Sequence, residues 1–334
     1  MTAHTPPPAG GPDSKISSKK ISLKKITQDR GSLIALLLLI IVIGIARQEF
    51  RTVDNMLTVL RQASINGLIA FGMTAVILTG GIDISVGAML GLAAMLGAGF
   101  LKGGMPEIAA IPLMLVLGAG FGAVNGLLVT AGRLQPFIAT LISMSVYRGF
   151  CLVYGGGYPI SGLGTQNALA KIGTGYFLRV PVPVWILAAV FAAFFFILRK
   201  TTLGRRIYAV GSNPAAARLA GVNLSRVKIF VYGASGLMSA MAGLILLSRL
   251  GSAQPTLGTG YEIDAIAATA LGGTSMNGGR GKIQGTIIGV LIIAILSNGL
   301  NIIGVSSYYQ NVIKGFVILL AVLSDRRRGQ GGAF

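Results

Sequence analysis

The chain has 334 residues, 53% of them hydrophobic and 11% charged, with a mean hydropathy of +0.76. A soluble domain carries roughly 25% charged residues, so too few remain here to coat a water-facing globule. The formal net charge of +19 must be read by position, and a single cysteine, Cys151, and a single histidine, His4, exclude an intramolecular disulfide and a cysteine-based metal cluster.

In chain order, residues 1–31 form a polar, basic leader that is expected to be disordered. Apolar runs able to span a bilayer at about 20 residues per helix then fall near 32–46, 63–80, 84–101, 108–131, 136–154, 182–198, 228–249, 262–273, 285–303 and 310–324. The pattern predicts an all-α, polytopic membrane protein with about ten transmembrane helices, in a domain covering 32–324 with a tail at 325–334. The first run has the length of a signal peptide, but thirty residues precede it and the chain keeps crossing afterwards, so it is expected to be retained. The eighth run is short and opens with Glu262 and Asp264, as a broken or re-entrant helix would.

Basic residues fix the orientation. Most of them fall in the leader, at Arg133, between 199 and 228, at Arg280 and Lys282, and at Arg326, Arg327 and Arg328, which alternate spans place on one side. By the positive-inside rule that side is cytoplasmic and holds both termini. The charge thus points to a lipid bilayer and not to nucleic acid. The loop with Arg47, Arg51 and Arg61 falls outside, against the rule.

Between the second and third spans lies Gly80-Gly81-Ile82-Asp83-Ile84-Ser85-Val86-Gly87. A carboxylate at this depth must face protein, water or a helix end, and Gly80, Gly81 and Gly87 permit the irregular backbone that such a junction needs. A weaker echo follows the eighth run, where Gly272 and Gly273 precede further glycines and a new apolar helix. Other polar side chains sit within or beside the spans: Gln62, Ser64, Asn66, Asn125, Ser143, Tyr147 and Asn298. Each can line a route for a polyhydroxy solute or join helices by hydrogen bonds, and the sequence leaves both roles open. Arg148 can serve a route, a structural ion pair or an interface. Gly118, Gly122 and Gly126, and again Gly281, Gly285 and Gly289, recur at four-residue intervals as helix-contact faces do.

Residues 199–228 form a long basic loop on the cytoplasmic side. Within it Asn213 is a candidate N-cap, Pro214 suits the first helical position, Ala215, Ala216, Ala217 and Arg218 favour helix, and Gly221 can end it. Such a short helix is either a docking element or a plain connector. An intramembrane enzyme is disfavoured because the spans contain no histidine and only scattered carboxylates.

Several segments carry a resemblance. GMTAVILTGGIDISVGAMLG at 72–91, RLQPFIATL at 133–141, TTLGRRIYAVGSNPAAARLAGVN at 201–223, SAQPTLGTGYEIDAIAATALGGTSMNGGRGKIQGT at 252–286 and SNGLNIIGVSSYYQ at 297–310 resemble the permease subunits of ribose-type ABC importers. The resemblance implies a type II-like permease fold, a homodimer in the bacterial inner membrane, two cytoplasmic ATPases that hold ATP and Mg, and a periplasmic protein delivering a monosaccharide, with ribose favoured. It makes 213–221 the coupling helix, although Pro214 stands where a Glu is often found. For such a solute the polar residues within the spans and at the break, Asn66, Asp83, Ser85, Asn125, Tyr147 and Asn298, are the candidates for the translocation route or for helix breaks, and no cofactor or metal is expected in this subunit. Consistently, Gly281-Lys282 lacks the earlier glycine and the following hydroxyl of a phosphate-binding loop. The alternative is an ion-coupled secondary transporter or channel that uses Asp83.

Overall fold

Backbone N–H and C=O groups find no water inside a bilayer, so a spanning chain must satisfy them within helices or by side chains at the breaks. The structure, a computed structural model describing residues 15–163 and 168–330, follows that rule. Its helices are α1 (Lys15–Ala46), α2 (Val53–Leu78), α3 (Val86–Lys102), α4 (Glu107–Thr130), α5 (Pro136–Gly155), α6 (Ala168–Thr174) and α7 (Val182–Lys200). They continue with α8 (Thr202–Ser212), α9 (Pro214–Leu219), α10 (Leu224–Leu250), α11 (Tyr261–Leu271), α12 (Ile283–Ile303) and α13 (Ser307–Gln330). Two pairs of two-residue strands, Ile160–Ser161 with Ser252–Ala253 and Tyr176–Phe177 with Val180–Pro181, pin loops at one end.

Every run expected to span is a helix. Among the described residues, α2, α4, α5, α7, α10 and α12 are long and apolar enough to cross a membrane, and Gly31–Ala46 and α3 are shorter apolar helices. At 11 residues α11 rises about 16 Å, half a bilayer, which agrees with a broken eighth span.

Two expectations need correction. The leader is helical from Lys15, not disordered throughout, because residues 15–30 contain neither Gly nor Pro and are rich in Lys and Ile; residues 1–14 lie outside the described residues. The loop expected at 47–61 ends early. After one 3-10 turn at Gln48–Arg51, Thr52 caps α2 by accepting from Asn55 N (3.3 Å), so Thr52, Asp54 and Asn55 start a helix instead of filling a loop. Arg61 lies on that helix, donates to the Tyr176 hydroxyl (2.9 Å) and stacks over its ring.

Helices α2, α3, α10 and α12 carry most of the buried side chains, while α1, α5 and α7 expose large apolar ones such as Ile45, Val153 and Phe196, as a lipid-facing rim would. The most extensive packing is α10 on α4. A Cβ at Gly126 would come within 2.6 Å of Ile229 Cα, and Cβ atoms at Gly118 and Gly122 would collide with Ala240 and with the Tyr232 carbonyl. Gly72 meets Ser235 Cα of α10 in the same manner, at 2.8 Å. Gly285 and Gly289 press onto the backbone of Gly272 and Ala268, whereas Gly281 lies before α12 against Thr274. Close approach through small residues is how helices bind one another where lipid removes the hydrophobic drive.

Gly122→Val should therefore force α4 from α10 and destabilise the fold by roughly 1–3 kcal/mol, the usual cost of overpacking. Gly120→Val, where a Cβ meets nothing within 4 Å, should not. Thermal unfolding of both variants in detergent checks the contrast.

Candidate functional site

The junction between α2 and α3 replaces lost helix bonds with side chains. Thr79 Oγ1 returns to Val76 O (2.8 Å), and Gly80 takes φ +77°, which favours glycine. Ile84 N then donates to Thr140 Oγ1 (3.3 Å), Ser85 N to Asp83 Oδ1 (3.1 Å), and the Tyr232 hydroxyl to Ile82 O (3.4 Å). Gly81 leaves room for that hydroxyl, which a Cβ would approach to 2.6 Å.

Asp83 is 0% exposed. Its Oδ1 accepts from Ser85 Oγ (2.6 Å) and Asn125 Nδ2 (3.4 Å) as well as Ser85 N, and its Oδ2 accepts from Ser235 Oγ (3.0 Å). Asn125 Nδ2 also donates to Ser85 Oγ (2.7 Å), and the Tyr147 hydroxyl reaches Phe121 O (2.9 Å) and Asn125 Oδ1 (3.4 Å). Four of the sequence-predicted residues, Asp83, Ser85, Asn125 and Tyr147, thus form one enclosed cluster joining the break to α4, α5 and α10. Ser235, Thr140 and Tyr232 complete it; single Ser, Thr and Tyr residues in apolar helices gave no spacing signal that could have picked them out.

The other candidates lie elsewhere. Asn298 exchanges amide hydrogen bonds with Asn55 (2.7 and 3.1 Å), fastening α12 to the start of α2. Arg148 donates to the carbonyls of Pro255 and Leu257 (2.7 and 2.8 Å), holding the loop before α11. Gly87 lets α3 approach that loop, where a Cβ would strike Gly258 O and Glu262. Asn66 lines a separate cavity of about 390 Å³ with Gln62, Glu262, Asp264 and Lys314.

The two glycine-rich breaks meet. Gly279 N donates to Leu78 O at the end of α2 (3.0 Å), and a Cβ on Gly278 would come within 2.8 Å of Gly80 N. Gly273 takes φ +79° at the second break, and a Cβ on Gly272 would come within 2.6 Å of the Gly285 carbonyl. Helix α8 lies against both breaks. Gly211 abuts Leu78 O, Ser212 Oγ donates to Gly279 O (3.4 Å), and the Tyr208 hydroxyl donates to Gly281 O (2.9 Å). Burial raises the Tyr208 pKa, which keeps it a neutral donor.

Helix α9 continues from α8 as a short stub. Asn213 Oδ1 accepts from Ala216 N (3.0 Å), Pro214 opens the helix, and Gly221 takes φ +78° after it. Ala217 is buried, but Pro214, Ala215, Ala216 and Arg218 are exposed and Leu219 is 91% exposed. The stub is rigidly capped, uncovered, and one helix away from both breaks.

A helical bundle with apolar spans, an interrupted second crossing and a protruding helix between spans marks a multi-pass membrane protein. The chain belongs to the family described as branched-chain amino acid transport system/permease component, matched over residues 55–322. It is 53% identical to the ribose import permease protein RbsC of Bacillus subtilis over 310 residues, 93% of this chain and 96% of that one. Identity to the ribose import permease protein RbsC of Escherichia coli K12 is 48% over 315 residues, 94% of this chain and 98% of that one. The galactose/methyl galactoside import permease protein MglC of Escherichia coli K12 is 36% identical over 325 residues, 92% and 96% of the two chains. No solved structure matches the chain. As a member of this family the chain is a permease component of a membrane transporter.

Asp83→Leu should leave the Ser85 and Ser235 donors unpaired, at about 1–3 kcal/mol for each buried group, and collapse the yield of monodisperse protein. Asp83→Asn keeps an acceptor and a similar shape and should be much milder. Size-exclusion profiles in detergent report both, and equal profiles for Asp83→Leu and the parent would remove the cluster's role.

Proposed function

We propose that this chain is the membrane-spanning subunit of an ABC importer for ribose. Two copies pair in the bacterial inner membrane with both termini cytoplasmic. A periplasmic binding protein presents the sugar on one side, and separate ATPase subunits, which hold ATP and Mg, drive transport from the other. The chain itself carries no ATP site, cofactor or metal. Identity of 53% over nearly the whole length to a protein named for ribose import favours this sugar over the galactosides of the more distant relative.

The observation that carries the mechanism is the exposed α9 stub joined through α8 to both helix breaks. In this reading α9, with Asn213, Pro214, Ala215, Ala216, Ala217, Arg218 and Gly221, seats in a cleft of the ATPase. ATP binds one arrangement of the paired ATPases better than the other, so its binding shifts the population of the arrangement to which α9 is attached. Tight packing passes that shift on as a rigid-body movement. The enclosed Asp83 cluster serves as the clamp that keeps the α2–α3 break intact during the movement. With Asp83 satisfied by its neighbours, a proton-coupled role for it is the weaker reading.

Proteoliposomes containing this chain, its ATPase and its binding protein should accumulate radiolabelled ribose only with ATP, and this chain alone should not. Accumulation against the gradient by this chain alone would overturn the proposal. Arg218→Glu should weaken ATPase copurification about tenfold, the equivalent of one charge-assisted contact, without changing membrane insertion.

A further inference from the structure

Among the described residues the buried polar groups of this protein fall into two kinds. The Asp83 cluster, the Asn55–Asn298 pair and the hydroxyl group of Thr74, bonded to Thr286 (2.8 Å), are satisfied by protein. Asn66 is not. It is 3% exposed, yet its amide oxygen has no hydrogen-bond partner and its amide nitrogen faces only the Asp264 carboxylate, while Glu262 Oε2, also buried, has none. An unpaired amide in an apolar surrounding costs several kcal/mol when nothing compensates it.

Asn66 and Glu262 are both lining residues of the cavity of about 390 Å³, within the range of small-molecule sites, with Glu262 Oε2 itself set against Gly87 of α3. Its walls come from the middle of α2 (Gln62 and Asn66), the start of α11 (Glu262 and Asp264) and the start of α13 (Asn311 and Lys314). Lys314 Nζ lies 3.0 Å from both oxygens of Asp264, so this pair is neutral and held in place. Glu262 Oε1 accepts from Gly260 N (3.2 Å), which fixes the carboxylate with its second oxygen turned into the buried wall. The lining therefore combines amides, which donate and accept, with a carboxylate that accepts. That combination suits adjacent hydroxyls on a neutral molecule; an anion would meet Glu262 and Asp264, and an apolar molecule would leave Asn66 unpaired.

We propose that this cavity is a subsite for a neutral polyhydroxy compound, a pentose in the first instance, with Asn66 as the residue that grips adjacent hydroxyls and Asn311 at the rim. The inference rests on the sugar-permease reading above and deepens it by naming where in the subunit the sugar pauses. In the proposed orientation the cavity lies in the outward half of the bundle, whereas the Asp83 clamp lies at the other end of α2.

The native Cys151 is 0% exposed, so Asn311→Cys supplies a distinctive accessible thiol on the full chain. The rate of its labelling by a small maleimide would be measured in the assembled importer, reading the label on this chain. Ribose should slow labelling by the factor 1 + [ribose]/Kd, about tenfold at nine times Kd, while lactate and choline at equal concentration should not. Combining Asn66→Leu with Asn311→Cys should abolish the protection. Thr259→Cys, also exposed at this cavity, provides a second reporter if Asn311→Cys does not assemble. Labelling of either reporter that is indifferent to ribose, in an importer whose parent form transports ribose, overturns the subsite. Equal protection by lactate or choline overturns its chemistry. A parent importer that does not transport ribose refutes instead the sugar reading on which the subsite rests.

Discussion

An irregular stretch of backbone inside a membrane is tolerated only if side chains replace every hydrogen bond that the helix gives up, and the rest of this structure depends on how residues 79–85 meet that demand. Ile82 O, Ile84 N and Ser85 N are taken up by Tyr232, Thr140 and Asp83, which belong to α10, α5 and the break itself. The carboxylate is the hub because it alone accepts from several directions. Its four donors come from Ser85, Asn125 and Ser235, so the break is bound at once to α4 and α10. A hydroxyl or amide in its place would offer fewer acceptor sites and a weaker, uncharged bond to each.

Glycine does for the helices what Asp83 does for the break. The α4–α10 and α11–α12 contacts bring backbones so close that no Cβ fits, and surfaces that close-packed move as units, because they do not deform continuously. The two glycine-rich breaks then join such units to one another, and α8 lies across the joint with Tyr208 and Ser212 bonded to the second break. Force applied at α9 consequently has a short path made of backbone contacts. No long side chain with many rotamers intervenes, so little of a displacement would be absorbed on the way.

Much of this was legible in the sequence. The ten runs were placed from hydropathy alone because lipid requires long apolar stretches, and the break at Asp83 was marked by glycines around a costly charge. The α9 cap was equally local, since Asn213 and Pro214 specify it within one turn. What was not legible depends on distance in the fold. Ser235 and Thr140 resemble dozens of other small polar residues until α10 and α5 bring them to Asp83. The start of α2 was misplaced because Thr52, Asp54 and Asn55 are polar and so resemble a loop, although the same residues are suited to capping a helix. The leader was read from its composition, which says nothing against helix where Pro and Gly are absent. Gly281 shared the spacing of Gly285 and Gly289 but precedes the helix, a reminder that a four-residue interval is evidence only where the chain is already helical.

The division between satisfied and unsatisfied polar groups bears on what a passage through this protein requires. Asp83, Asn125 and Ser235 are bonded to each other as fully as a soluble core would demand, and a sugar that borrowed those bonds would have to break the frame to pass. A transient partner is better served by groups that the frame leaves unfilled. The Asn66 amide oxygen is of that kind, set beside an ion pair that supplies no net charge. A few unfilled donors and acceptors give enough attraction to draw a hydrated solute in, and too little to hold it, which is the balance conduction needs. The same carboxamide chemistry thus serves opposite ends in one bundle. Where its partners are permanent it builds the frame, and where they are missing it leaves room for cargo.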